Sequence, residues 1–278
     1  MDILAPAALR GINNMTQEIE KAIRFKTRLR SGECCVGAQL GLTDPAVVEI
    51  FGRAGYDWIS VDIEHGPYTI ETVKLMLQAA AGTPAVLLAR PRKLDLDEIR
   101  RYLDIGSPGV MCPFINRGEE AARLVEFCRY PPAGVRGWGP RRAVNYGFDA
   151  DEYLAKANAA MLCLPIIESP EAVERIDEIV SVDGIDGIVM GPMDLSMSLG
   201  CFKKFDNPLF TSAVETVRAA CRRHSKVMGT GCYSLDFARE CARQGDGLLL
   251  VASDDGYLAA EARRCLGEVR AAAPTRST

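Results

Sequence analysis

Eight short apolar runs recur along the chain, each followed by an amphipathic segment, and this alternation leaves few folds open. The runs read as strands at 35–41, 57–63, 84–90, 109–115, 161–167, 185–191, 226–231 and 247–252. Several are apolar at successive positions, as in Leu248 to Ala252, which is the pattern of strands buried on both faces. The segments at 44–54, 70–81, 95–105, 117–128, 170–181, 208–223, 234–244 and 255–271 carry apolar residues at three- and four-residue spacing, as in Val173, Ile176, Ile179 and Val180. Thr43/Asp44, Asp95 and Ser169-Pro170 supply helix starts. Strands of this kind alternating with helices specify a parallel sheet covered by helices. Eight of each is the count of a (β/α)8 TIM barrel, whose usual size is about 250 residues. The 278 residues divide into an N-terminal extension at 1–32 with a helix at 15–31, one barrel domain at 33–273, and a tail at 274–278 expected to be disordered.

Composition removes other classes of function. A hydrophobic share of 48%, a charged share of 25% and a net charge of −4 describe a globular chain without the basic excess that nucleic acid or an anionic membrane surface requires. The N-terminal run MDILAPAALRGINN lacks a basic n-region and a long apolar core, and the longest apolar runs are only strand-sized. Ten cysteines without a C-x-x-C pair, and only two histidines, fit reduced and mostly buried thiols better than zinc ligands. The expectation is a cytoplasmic protein.

In a barrel the chemistry sits where strands end. The second run ends in Asp62-Ile63-Glu64-His65-Gly66, the third in Arg90, the fifth in Glu168, and the sixth in Gly191-Pro192-Met193-Asp194. Any one carboxylate there could be a helix cap, and Glu168 precedes Ser169-Pro170. Glu168 and Asp194 together, on neighbouring strands, suit a hard divalent cation that keeps its other positions for water and substrate oxygens. His65 beside Asp62 reads as a general base, Glu64 is a further candidate, and Arg90 is a fixed fork for a carboxylate. His224, in a basic RRHSK run, reads as surface. No strand ends in lysine, and Lys93 lies past the third run, so an imine route lacks its nucleophile. Residues 130–150, rich in Gly, Pro and Arg, form the longest irregular stretch, either a functional loop or a surface connector.

Further runs carry a resemblance. GYDWISVDIEHGPYTIETV, LLARP, LDIGSPGVMCPFI, RYPPAGVRGWG, PIIESPEAVERIDEIVSVDGIDGIVMGPMDLSMSLG and GLLLVASD occur in this order from about residue 33 onward. The chain resembles the HpcH/HpaI aldolase family, whose barrels are of the phosphoenolpyruvate/pyruvate type. The resemblance implies a class II aldolase, a carbon–carbon lyase that cleaves or forms 4-hydroxy-2-oxo acids through a metal-bound pyruvate enolate. It implies that Glu168 and Asp194 hold Mg²⁺, Mn²⁺ or Co²⁺, that Arg90 contacts the pyruvyl unit, and that His65, paired with Asp62, moves the proton. It also implies substrate contacts from the backbone around Gly191, Pro192 and Met193 and from Gln39. The partners implied are a 2-oxo acid, pyruvate or oxaloacetate, an aldehyde or other acceptor, and further copies of the chain in a hexamer built as a trimer of dimers. The sequence departs from the common pattern at four wall positions: Gly66 for Ala, Gln39 for Trp, Ile166 for Gln, and Met193 for Ala or Ser. The EHG run and the GWGPRRAVNYG loop resemble the macrophomate synthase-like members. These imply an alternative, an oxaloacetate decarboxylase whose enolate is captured by a second substrate held by Arg141, Arg142 or Tyr146. More distant readings are citrate-lyase-like cleavage of an acyl-CoA and an inactive binding barrel.

Overall fold

A computed structural model describes residues 15–273. Residues 1–14 of the extension and the tail at 274–278 lie outside the described residues. Eight parallel strands pair in chain order: β1 (Cys35–Leu40), β2 (Trp58–Asp62), β3 (Val86–Arg90), β4 (Gly109–Cys112), β5 (Leu162–Ile167), β6 (Gly187–Met190), β7 (Val227–Gly231) and β8 (Leu248–Ser253). Pairing of β8 with β1 closes the barrel. β2 to β6 are buried at every position, as their uninterrupted apolar runs require. Gly37 in β1 is needed where it stands, because the Trp58 indole from β2 occupies the space its side chain would take.

The helices are α1 (Met15–Arg30), α2 (Ala46–Ala54), α3 (Ile70–Ala81), α4 (Leu96–Asp104), α5 (Gly118–Cys128), α6 (Ala150–Ala160), α7 (Pro170–Glu174), α8 (Ile176–Ser181), α9 (Pro192–Ser198), α10 (Pro208–Arg223), α11 (Leu235–Arg243) and α12 (Asp254–Ala272). Asp95 caps α4 by accepting from the Glu98 N–H, and Ser169 caps α7 by accepting from the Ala172 N–H, with Pro170 in the first turn. At α2 the residue before the helix is Pro45, and Asp44 accepts from the Ala46 N–H instead. The helix expected at 170–181 is two helices, broken at Arg175, whose ψ of 17° departs from helical geometry.

Helix α1 closes the N-terminal end of the barrel. It buries Ile19, Ala22, Phe25 and Leu29 on one stripe. Lys26 Nζ donates to the Met161 carbonyl at 2.8 Å and pairs with Asp186 at 3.0 Å, at the entrances of β5 and β6. Lys21 donates to the carbonyl of Ala80, at the end of α3. All ten cysteines are free, and seven are buried. Among the described residues no helix is long and apolar enough to cross a membrane.

The irregular stretch after α5 belongs to this same end. It connects a helix to the strand β5, by way of α6, and such connections lie opposite the C-terminal mouth. Arg142 is buried and donates to the carbonyls of Ile105 and Leu77, at the ends of α4 and α3. Arg136, fully buried, pairs with Asp104 at 2.8 Å and lies 4.5 Å over the Tyr130 ring. Arg141 and Tyr146 are exposed. None of Arg141, Arg142 and Tyr146 lines the mouth cavity described below. Arg142 thus supplies a donor to the orphaned carbonyl just past α4 and a second bond to the backbone of α3.

Candidate active site

The strand ends converge as the barrel geometry demands. A cavity of about 620 Å³ opens at the C-terminal mouth, lined on one side by Gln39, His65, Arg90, Glu168 and Asp194. Gly191 and Pro192 complete that side. Gln39 stands on β1, Arg90 is the last residue of β3, Glu168 follows β5, and Asp194 lies in the first turn of α9.

Arg90 is the hub. It is 8% exposed, and its guanidinium sits 2.5 Å from Glu64, 3.7 Å from Asp62 and 3.9 Å from Glu168. Asp62 accepts from Gln39 Nε2 at 2.7 Å and from the His65 backbone N–H at 3.2 Å. Asp62 therefore fixes the turn that carries His65 rather than hydrogen-bonding its ring. The ring stands exposed, with Nε2 3.6 Å from Glu64.

Glu168 is only 1% exposed. Ser169 caps the following helix, so Glu168 is free of that duty. Its Oε1 accepts from the Phe114 N–H at 2.8 Å, while Oε2 is buried without a hydrogen-bond partner. Phe114 has φ of 51°, a left-handed conformation unusual for a bulky residue, at the loop after β4. Burial pushes the Glu168 carboxyl up to about 7, against the opposing pull of the Phe114 N–H and Arg90. Burial also raises Glu64, against the pull of Arg90 and His65.

Three carboxylates, Asp62, Glu64 and Glu168, thus face one guanidinium, and Asp194 adds its charge beside Glu168 and Glu64, an excess of negative charge that a divalent cation would neutralise. Two donor sets are available. Asp62, Glu64 and His65 bring ligand atoms within 4.8 Å of one another, but Asp62 is already held by Gln39 and the His65 N–H, and Glu64 by Arg90. Glu168 offers a buried oxygen that accepts no hydrogen bond, and Asp194 lines the same cavity. Gly191 leaves room beside it: a methyl group there would stand 3.0 Å from Glu168 Oε2. The chemistry of the second set fits a hard cation better.

Other contributors escaped the sequence reading. Glu64 was visible as a candidate in the DIEH run without a role, and the structure pairs it with Arg90. The Phe114 N–H has no side-chain signature. Cys232, Tyr233, Ser253 and Tyr257 form the far wall of the cavity. They follow β7 or stand at and just past the end of β8, and the strand-end rule, carried past the sixth strand, reaches them. His224 pairs with Asp177 at 3.0 Å and lies outside the cavity, as its basic surroundings indicated.

Known proteins share this arrangement of chain. The sequence profile of the HpcH/HpaI aldolase/citrate lyase family matches residues 36–260. The chain is 36% identical over 256 residues to the hydroxypyruvate/pyruvate aldolase of Pseudomonas aeruginosa, covering 91% of this chain and 95% of that protein. It is 36% identical over 232 residues to the 2-keto-3-deoxy-L-rhamnonate aldolase of Escherichia coli K12, covering 83% and 86%. A crystal structure of an HpcH/HpaI aldolase/citrate lyase family protein from Burkholderia cenocepacia J2315 superposes with a TM-score of 0.85 at 31% identity, covering 89% of this chain and 99% of that one. With a closed eight-stranded barrel, a charged mouth and a profile match that spans most of its length, the chain belongs to the HpcH/HpaI aldolase/citrate lyase family.

Proposed function

We propose that this chain is a divalent-metal-dependent aldolase that cleaves and forms 4-hydroxy-2-oxo acids. The observation that carries the reading is Glu168, a buried carboxylate with one oxygen that accepts no hydrogen bond, set beside Arg90 at the floor of a cavity that also exposes His65 and Asp194. Glu168 and Asp194 would hold the cation, Mg²⁺, Mn²⁺ or Co²⁺, which when bound supplies Lewis-acid stabilisation of charge on the 2-oxo oxygen. Arg90, locked by Glu64, presents its guanidinium to the pyruvyl carboxylate and the same oxygen. The His65 imidazole takes the proton of the C4 hydroxyl during cleavage and returns it during addition. Asp62, through the backbone of His65 and the amide of Gln39, keeps the base in place as a positioning residue. The relatives' names support the substrate class, since both are aldolases of oxo acids.

The same reading carries a homo-oligomer. Leu258, Leu266 and Val269 stand exposed along α12, an apolar set that a neighbouring copy would cover. The free thiols fit a reducing cytoplasm.

The test is a pyruvate-release assay on metal-stripped protein. Short 4-hydroxy-2-oxo acids and oxaloacetate are offered with and without Mg²⁺, Mn²⁺ or Co²⁺. Release from a hydroxy-oxo acid only when cation is present is the expected result. Equal release in excess chelator overturns the metal route, and release from oxaloacetate alone overturns the aldolase. Gly191→Ala provides an independent check. Its methyl group would crowd Glu168 at 3.0 Å, and cation affinity measured by calorimetry should fall roughly tenfold. Unchanged affinity would place the cation elsewhere.

A further inference from the structure

The cavity is much larger than the six non-hydrogen atoms of pyruvate fill. At about 620 Å³ it is the size of a site for a whole organic ligand. Its polarity is lopsided. The charged groups converge on the side of β1 to β6, where the pyruvyl unit belongs.

The opposite wall comes from the ends of β7 and β8 and from the start of α9, and apart from the Tyr233 hydroxyl its side-chain polar atoms are engaged within the protein. Tyr257 Oη lies 3.0 Å from Tyr56 Oη, inside the protein's own contacts. Ser253 Oγ caps α12 by accepting from the Gly256 N–H at 3.2 Å. The Cys232 thiol donates to the Thr230 carbonyl at 3.5 Å. Between them the wall presents Leu250, Val251 and the Met193 side chain, which is 40% exposed. A polyhydroxylated chain bound here would exchange water for apolar surface at most of its hydroxyls, a cost that the Tyr233 hydroxyl alone does not offset.

Tyr233 adds geometry. Its ring is stacked between Phe205, at 3.8 Å and 13°, and Phe237, at 4.3 Å and 17°. Both faces are covered, so only its edge and hydroxyl meet the cavity. The edge of an aromatic ring carries its positive partial charge and pairs with the face of another ring. Met193 offers a polarisable thioether, which also favours an aromatic neighbour.

We infer that the acceptor half of this site is built for an apolar, and specifically an aromatic, aldehyde. The matching cleavage substrate is a 4-aryl-4-hydroxy-2-oxo acid. This rests on the aldolase reading above. In cleavage the C3–C4 bond breaks and its electron pair stays on C3. The C4 oxygen loses its proton to the base and becomes the aldehyde carbonyl. C3 then takes a proton to complete the methyl group of pyruvate, so nothing is oxidised or reduced.

The experiment compares kcat/KM, with one cation, for 4-hydroxy-2-oxo-4-phenylbutanoate, a six-carbon 3-deoxy-2-oxo sugar acid and 4-hydroxy-2-oxopentanoate. The aryl acid should exceed the sugar acid by ~10-fold or more, the scale on which an apolar pocket discriminates. A sugar acid cleaved as well as the aryl acid overturns the inference. Cleavage of the pentanoate alone overturns it while leaving the aldolase reading standing. Inertness of all three removes both. Met193→Ser and Tyr233→Asn should each lower the aryl-to-sugar ratio at least ~3-fold. A merely structural defect lowers both rates together, and an unchanged ratio in both variants overturns the assignment of this wall.

Discussion

Glu168→Gln will abolish cation-stimulated turnover and, in the same protein, raise the melting temperature measured without metal. The two effects have one cause. The carboxyl is 1% exposed and burial pushes it up to about 7, from an ordinary value of 4.5. Below 4.5 folded and unfolded chains both hold the proton, and folding loses nothing. Between 4.5 and 7 the unfolded chain releases the proton while the folded one keeps it, so stability falls as pH rises. Above 7 the loss is complete, about 3 kcal/mol at 1.36 kcal/mol per pH unit. Glutamine has nearly the same shape, keeps an acceptor for the Phe114 N–H and carries no charge. At pH 8 the metal-free variant should melt roughly 5 °C or more above the parent, and near pH 4.5 the gain should vanish. Turnover should fall by roughly a thousandfold or more, because the cation loses a ligand. Scanning calorimetry at the two pH values reads the first effect and pyruvate release the second. Equal melting temperatures at pH 8 would contradict the buried, charge-strained carboxylate.

Arg218→Ala should cost about 3–5 kcal/mol of unfolding free energy, the second large effect. Arg218 reaches from α10 to Asp246, with Nε at 3.0 Å and Nη2 at 3.1 Å from its two oxygens. Asp246 is 1% exposed and also accepts from the Thr230 hydroxyl of β7 at 3.1 Å. Removing the guanidinium strands a buried carboxylate between β7 and β8. Urea denaturation measures the loss. The paired change Arg218→Met with Asp246→Leu removes both charges and should recover most of it, so the argument stays testable even where the single variant does not fold. A single variant within about 0.5 kcal/mol of the parent would show that the pair is not desolvated.

What the sequence made readable, and what it hid, follows from where each signal resides. A continuous run such as LLLVA declares a strand buried on both faces, and α3 and α10 appear over their observed spans because their apolar stripes are long. Helix α6 was missed. Its buried residues are Tyr153, Ala157 and Ala160, and two alanines make a faint stripe. The break at Arg175 was missed because apolar spacing continues across it through Val173 and Ile176. At the mouth, titratable side chains at strand ends were legible because barrel topology fixes where they emerge. The Phe114 N–H was not, since any residue carries one. The arginine-rich loop is a different case. Charge drew attention to Arg141 and Arg142, while their place between a helix and a strand already assigned them to the other end.

The closure of the barrel floor by α1 has a consequence for how this protein can change. Lys26, Phe25 and Leu29 tie the floor together at the end away from the cavity. Met193, Cys232 and Tyr233 stand on loop and helix-start positions at the rim, where Met193 and Tyr233 are exposed. The floor and the rim therefore lie at opposite ends of the barrel, and the rim can be rewritten while the floor stays in place. Evolvability is built into this division: a library varied at those three positions should keep most of its members soluble while their preferred acceptors diverge.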